Sequence, residues 1–288
     1  MLKPVNESRG YLLVATLSKA YYEGLVNCVE SLKDELPHAQ VAVFAHEEWV
    51  TDEHRKLFDH VFTPVPVHNR TKLWALDKTP FDVTCYLDAD SYVISDEIDE
   101  VFDHMEKAGP DVDLLMTENR AYNSKVVYFQ EEGQNNGKAR ELEHFREDHI
   151  ELYRQGKAHK FRWHCGMLVY RKNARTDKLW SEWVRYYRLH NESENFEGMR
   201  PFPKSLAYWD TFAFWRVLHE QNEHLGVNVK RLPNDAKYNF VTGYKETEIK
   251  SGHQKAVLHY TIPPEYARET TIHEASLNST YGNFETFK

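Results

Sequence analysis

Two aspartates one residue apart, Asp88 and Asp90, close the apolar run Val83-Thr84-Cys85-Tyr86-Leu87. The run is rich in β-formers and reads as a buried strand. Side chains two apart on a strand point to the same side, which predicts that both carboxylates reach one point. Convergent hard oxygen ligands suit a divalent cation such as Mg²⁺ or Mn²⁺. In an open α/β sheet, ligands bind in the crevice beyond the carboxyl ends of the strands. Asp and Ser are also ordinary turn formers, so the same tripeptide reads equally as an acidic turn leaving a strand. Asp-x-Asp alone does not separate the two.

The elements around this tripeptide must do the positioning. Tyr11 to Leu17 reads as a first buried strand, and a helix follows with Leu25, Val29 and Leu32 on one face, ending before Pro37. Val41 to Phe44 is a second strand, a helix is expected from Thr51 to Phe58, and Val61 to Thr63 is a short strand stopped by Pro64 and Pro66. Thr71 to Leu76 reads as helical and leads into the strand ending at Asp88. Strands alternating with helices predict parallel pairing in a layered α/β sheet.

Further on, Gly133-Gln134-Asn135-Asn136-Gly137 is a loop before a highly charged stretch. Residues 131–160 read as an insertion or acceptor loop, with a solvated helix as the alternative. Met167 to Tyr170 is a strand, Asp177 to Leu189 a Trp-rich helix, Asn191 to Pro203 a polar loop, and Thr211 to His219 a helix. Val257 to Tyr260 is the last strand-like segment. The expectation is one domain over residues 10–265 and a polar tail at 266–288.

Composition narrows the classes. The 288 residues are 41% hydrophobic and 14% aromatic, enough for a sizeable core. A formal charge of −9 argues against a nucleic-acid-binding surface, which would show a basic stripe. No stretch approaches the roughly 20 apolar residues that span a bilayer, and Met1 to Arg9 lacks the apolar core of a signal peptide. Cys28, Cys85 and Cys165 are far apart, without metal-ligand spacing, and read as buried reduced thiols. A soluble, cytoplasmic protein is expected.

The extended pattern is more specific than its centre. Lys72-Leu73-Trp74-Ala75-Leu76, then Tyr86-Leu87-Asp88-Ala89-Asp90-Ser91-Tyr92-Val93-Ile94, then Ile98-Asp99-Glu100-Val101-Phe102, resembles glycosyltransferase family 8. The resemblance implies a GT-A fold, a Rossmann-like α/β domain with a mixed central sheet. It also implies sugar transfer from a nucleotide diphosphate donor, a UDP-sugar, to a hydroxyl acceptor with retention of configuration. The acceptor class stays open among carbohydrate, lipid-linked and protein hydroxyls.

By that resemblance, Ala15 and Thr16 lie near the base, and Tyr21 stacks on it. An aromatic face beneath a flat base contributes about 1–3 kcal/mol. Lys72 matches a lysine near donor phosphate or sugar oxygens. Ala89, Cys165 and Gly166 join the donor site, where glycine allows close backbone approach. His164-Cys165 replaces the family's Asn-Ser, which leaves the donor sugar open. Asp210 matches a carboxylate near the reaction centre and is equally a good helix N-cap. His259 is implied as the third metal ligand beside Asp88 and Asp90, and its nitrogen favours Mn²⁺, with Mg²⁺ as the alternative.

One departure is large. The family continues from its histidine to a glycine and a lysine that grips the diphosphate, whereas Thr261-Ile262-Pro263-Pro264-Glu265 follows here. Lys255, Arg268 or Lys237 is the candidate stand-in, and the sequence does not choose among them. Two rival readings remain: a nucleotide-sugar-binding protein without turnover, and a haloacid-dehalogenase-like phosphatase. The phosphatase pattern expects Thr or Val two residues after the second Asp, early in the fold. Tyr92 stands there, after three β/α segments.

Overall fold

The run Tyr11-Leu12-Leu13-Val14 is apolar without alternation because strand β1, Arg9–Val14, is buried on both faces. The computed structural model describes residues 8–63, 70–118, 163–192, 210–241 and 255–259. β1 is flanked in parallel by β2 (Val41–Phe44) and β4 (Val83–Leu87), and β3 (His60–Phe62) lies parallel beyond β2. β7 (Trp163–Arg171) runs antiparallel to β4, with Met167 opposite Leu87. With β6 (Leu114–Glu118) and β8 (Val229–Arg231), which pair in parallel, the order is β3-β2-β1-β4-β7-β6-β8. The mixed central α/β sheet is the one expected from the sequence.

A second, three-stranded sheet was not foreseen. Its order is β5-β10-β9, formed by Ser91–Val93, Val257–His259 and Phe240–Val241. β10 is antiparallel to β5 and sets His259 opposite Ser91, the residue after Asp90. The last strand therefore lies outside the main sheet, and its pairing carries His259 to the aspartates.

Helix α1, Lys19–Glu35, buries Tyr22, Leu25, Val26, Val29 and Leu32 along one stripe, and the Ser18 hydroxyl caps its start. Ser31 Oγ donates to Cys28 O at 2.8 Å and accepts from Val93 N at 3.0 Å, tying α1 to β5. A Cβ on Gly24 would stand 3.0 Å from the Ala89 carbonyl oxygen, so α1 packs against the acidic tripeptide. Gly24→Val is accordingly expected to cost about 1–3 kcal/mol, the usual penalty of overpacking. Chemical denaturation reads this, and an unchanged midpoint would mean α1 does not brace that backbone.

Two expected helices shorten. Only α2, Asp52–Arg55, forms in the 51–58 segment; none of its residues is buried, so no apolar stripe holds a longer helix. Thr71–Trp74 and Leu76–Lys78 are 3₁₀ turns rather than one α-helix. Thr71, Lys72 and Leu73 are all buried in succession, which a single α-helical face does not accommodate. Helix α3, Glu100–Ala108, buries Val101, Phe102 and Met105 and ends at Gly109 with φ +94°.

The chain divides into two compact units, Met1–Thr117 with Gly166–Asn173 and Asn228–Lys288, and Glu118–Cys165 with Ala174–Val227. Among the described residues, the second unit holds the helices α4 (Ala174–Glu192), α5 (Asp210–Glu220) and α6 (Asn222–Leu225), with Glu118 at the end of β6 and Trp163 to Cys165 at the start of β7. Trp183 packs on Phe214 with ring centroids 4.6 Å apart and donates through Nε1 to Asp210 O at 2.8 Å. Trp180 and Trp183 are fully buried, so these two tryptophans form a core and not a carbohydrate platform.

All three cysteines are free and buried, as their spacing predicts. Among the described residues no helix is long and apolar enough to cross a membrane. Most of the 131–160 segment's surroundings, the segment itself and the 266–288 tail lie outside the described residues.

Candidate metal centre

β4 ends at Leu87, and the tripeptide that follows is a turn. Ser91 N donates to Asp88 O at 3.1 Å, closing it. The two carboxylates converge across the turn that follows β4, not because strand residues two apart share a face. That corrects the reason given from the sequence while keeping the result: the turn and the acidic clamp are the same object. Asp88 N donates to Gly166 O at 2.9 Å, which anchors the turn to β7.

Ligand atoms of Asp88, Asp90 and His259 lie within 4.8 Å of one another. His259 Nε2 is 3.2 Å from Asp90 Oδ1 and 3.9 Å from Asp88 Oδ2. Burial pulls the imidazole down, but the Asp90 carboxylate, with Asp88 behind it, outweighs burial and holds the ring above its ordinary value. The same arrangement that draws a proton to Nε2 draws a divalent cation. Two carboxylates and one imidazole, two of them partly exposed, fit such a cation in number and in chemistry.

Asp88 is oriented by two donors. Tyr86 OH donates to its Oδ1 at 2.6 Å, and Lys72 Nζ donates to Oδ1 at 3.0 Å and to Oδ2 at 3.4 Å. Tyr86 is the residue two before Asp88, and Lys72 comes from the buried 3₁₀ turn. Oδ1 is thus occupied within the chain, and Oδ2 is the oxygen on the His259 side.

A cleft of about 160 Å³ opens beside this group at the carboxyl ends of β1 and β4. Ala15, Thr16 and Tyr21 line it from the end of β1 and the start of α1. Lys72, Asp88, Ala89 and Asp90 line it from the other side, together with Arg70 and Tyr86. Thr16 is buried, its hydroxyl touches that of Thr71, and its carbonyl oxygen accepts from His46 Nε2 at 2.8 Å. Seven residues picked from sequence therefore meet in one cleft.

The others are placed differently. Gly166 adjoins Asp88 through its carbonyl. Cys165 and Asp210 belong to the second unit and are buried there. Asp210 is the first residue of α5, and its Oδ1 accepts from the neighbouring Thr211 N at 2.9 Å. Lys237 is committed elsewhere, to Glu97 at 3.0 Å and Glu100 at 2.9 Å, so it is a poor stand-in for the absent phosphate lysine. Arg268 lies outside the described residues, and Lys255 lies two residues before the start of β10.

Sequence reasoning missed Tyr86, Arg70 and Asn239 as site residues. Tyr86 was legible in principle, since it lies on β4 two residues before Asp88. Asn239 carried no local signal: its Oδ1 meets His259 Nδ1 at 2.9 Å across twenty positions of sequence.

No protein-family profile matches this sequence, and no curated protein matches it. Solved structures are similar in three dimensions at low sequence identity. Glycosyltransferase GlyE of Streptococcus pneumoniae TIGR4 is 13% identical with a TM-score of 0.53, over 96% of this chain and 63% of that one. The bifunctional glycosyltransferase WbbM is 12% identical with a TM-score of 0.52, over 91% and 47%. Mouse xyloside xylosyltransferase 1 is 12% identical with a TM-score of 0.52, over 87% and 96%. The mixed sheet, the turn after β4 and the cleft beside it are thus set in the GT-A fold of glycosyltransferases.

Proposed function

We propose that this chain is a glycosyltransferase that moves a sugar from a UDP-sugar to a hydroxyl acceptor, with retention, and uses Mn²⁺. The observation that carries the reading is the convergence of Asp88, Asp90 and His259 at the edge of a cleft lined by Thr16, Tyr21 and Lys72. Tyr21 offers the face for the base, and Thr16 the backbone beside it. Lys72 places a positive charge where the leaving diphosphate gathers negative charge. Asp88, Asp90 and His259 would hold the cation, and when bound it supplies Lewis-acid stabilisation of the leaving phosphate. Asp210 is the proposed group that orients the donor sugar. The acceptor hydroxyl attacks the anomeric carbon on the face that UDP leaves. The glycosidic bond forms as the anomeric C–O bond to the diphosphate breaks, and the hydroxyl proton passes to the departing phosphate oxygen.

The test is UDP release by the full chain from UDP-glucose, UDP-galactose and UDP-N-acetylglucosamine with Mn²⁺. Release from at least one donor, abolished by a chelator, is expected. Tight UDP binding with no release from any donor would identify a binding protein instead. Phosphate release from a phosphomonoester would identify a phosphatase.

A further inference from the structure

His259 does not stand alone behind the carboxylates. Its Nδ1 lies 2.9 Å from Asn239 Oδ1, and Asn239 Nδ2 donates to Thr117 Oγ1 at 2.8 Å. All three side chains are buried, at 3%, 4% and 1% exposure for His259, Asn239 and Thr117, so these hydrogen bonds are shielded from water. An amide has a donor end and an acceptor end, and a threonine hydroxyl can accept. With the amide's NH₂ turned to Thr117, its oxygen faces the imidazole. Nδ1 must then carry the hydrogen, and Nε2 is the nitrogen turned toward Asp90, 3.2 Å away.

The backbone holds this chain of contacts in register. Thr117 sits on β6 of the main sheet. Asn239 closes the short helix α7, Asp235–Tyr238, where its N–H donates to Asp235 O at 3.1 Å. The next two residues form β9, which pairs with β10 so that Val241 lies opposite His259. The polar relay therefore joins the main sheet to the strand that delivers the histidine.

We propose that Asn239, oriented by Thr117, is a positioning residue that fixes the His259 tautomer and presents Nε2 to a divalent cation. The inference rests on the metal reading of Asp88, Asp90 and His259. Partners that hold the second nitrogen of a ligating histidine typically account for 10- to 100-fold in metal affinity. Asn239 is not one of the residues that line the cleft, and its effect on the cation runs through the imidazole.

The experiment measures Mn²⁺ affinity of the full chain by calorimetry without nucleotide. Asn239→Leu removes the acceptor at similar volume and is expected to weaken Mn²⁺ binding by roughly 10- to 100-fold. Asn239→Asp restores an acceptor and is expected to stay within about threefold of wild type, a rescue that a purely structural role does not predict. Thr117→Val, the milder change, lets the amide turn and is expected to weaken binding severalfold; it carries the test if Asn239→Leu does not fold. On Zn²⁺-loaded protein, ¹⁵N-histidine spectra should show a protonated Nδ1 and a metal-bound Nε2 in the wild type and a mixed state in Thr117→Val. Folded Asn239→Leu or Thr117→Val with wild-type Mn²⁺ affinity and the wild-type histidine spectrum would overturn the inference while leaving the metal reading intact. No Mn²⁺ binding by the wild type would overturn the metal reading, and this inference with it.

Discussion

Asp90→Asn is expected to lower Mn²⁺-dependent UDP release by roughly 10³-fold, at the upper end of what one preorganised electrostatic contact supplies. The substitution keeps the size of the side chain and removes the charge from the ligand nearest His259, at 3.2 Å. Stability should change by less than about 1 kcal/mol, because Asp90 is partly exposed and two effects oppose each other. The histidine loses an ion-pair partner, and Asp88 loses a like-charged neighbour. Initial rates at saturating donor, beside a thermal melt, separate the two quantities. A folded variant retaining turnover within tenfold of wild type would place the cation, or the chemistry, elsewhere.

Lys72→Met should not separate the two quantities and is expected to lower both stability and turnover. The lysine is buried at 5% exposure, and its Nζ is 3.0 Å from Asp88 Oδ1. Breaking a buried ion pair by removing one partner costs about 3–5 kcal/mol. The Asp88 side chain is 23% exposed, so water and Tyr86 OH recover part of that, and about 1–3 kcal/mol is expected. At roughly 2–4 °C per kcal/mol, the midpoint should fall by several degrees. The fall in kcat, about 10²- to 10³-fold, is the part specific to the proposed chemistry. A purely structural lysine would lower the melting temperature and leave kcat per folded molecule unchanged.

Much of this arrangement was readable from residue order. Continuous apolar runs identify β1 and β4 because strands buried on both faces have no polar alternation to lose. The acidic tripeptide ends β4 in the sequence and in the structure. Its geometry was not readable, since β5 is three residues long and Ser91-Tyr92-Val93 has too little periodicity to be told from a loop. Without β5, the antiparallel pairing that brings His259 beside Ser91 has no local trace. The same holds for Lys72. Three consecutive buried residues in a 3₁₀ turn look like one stretch of an amphipathic helix until the packing is seen. Asn239 was beyond reach for a different reason. Its partners, His259 and Thr117, are 20 and 122 positions away, and a lone Asn beside a short helix reads only as a turn residue.

The central claim is that two carboxylates and an imidazole hold a cation that a nucleotide diphosphate needs. A thermal-shift titration of the full chain with UDP, with and without Mn²⁺, and repeated on Asp90→Asn, tests it most directly. A ligand at a hundred times its dissociation constant stabilises the folded state by about 2.7 kcal/mol. The account predicts a UDP-dependent rise of several degrees only when Mn²⁺ is present, and its loss in Asp90→Asn. A UDP shift that is the same without Mn²⁺, or that survives unchanged in Asp90→Asn, would contradict it.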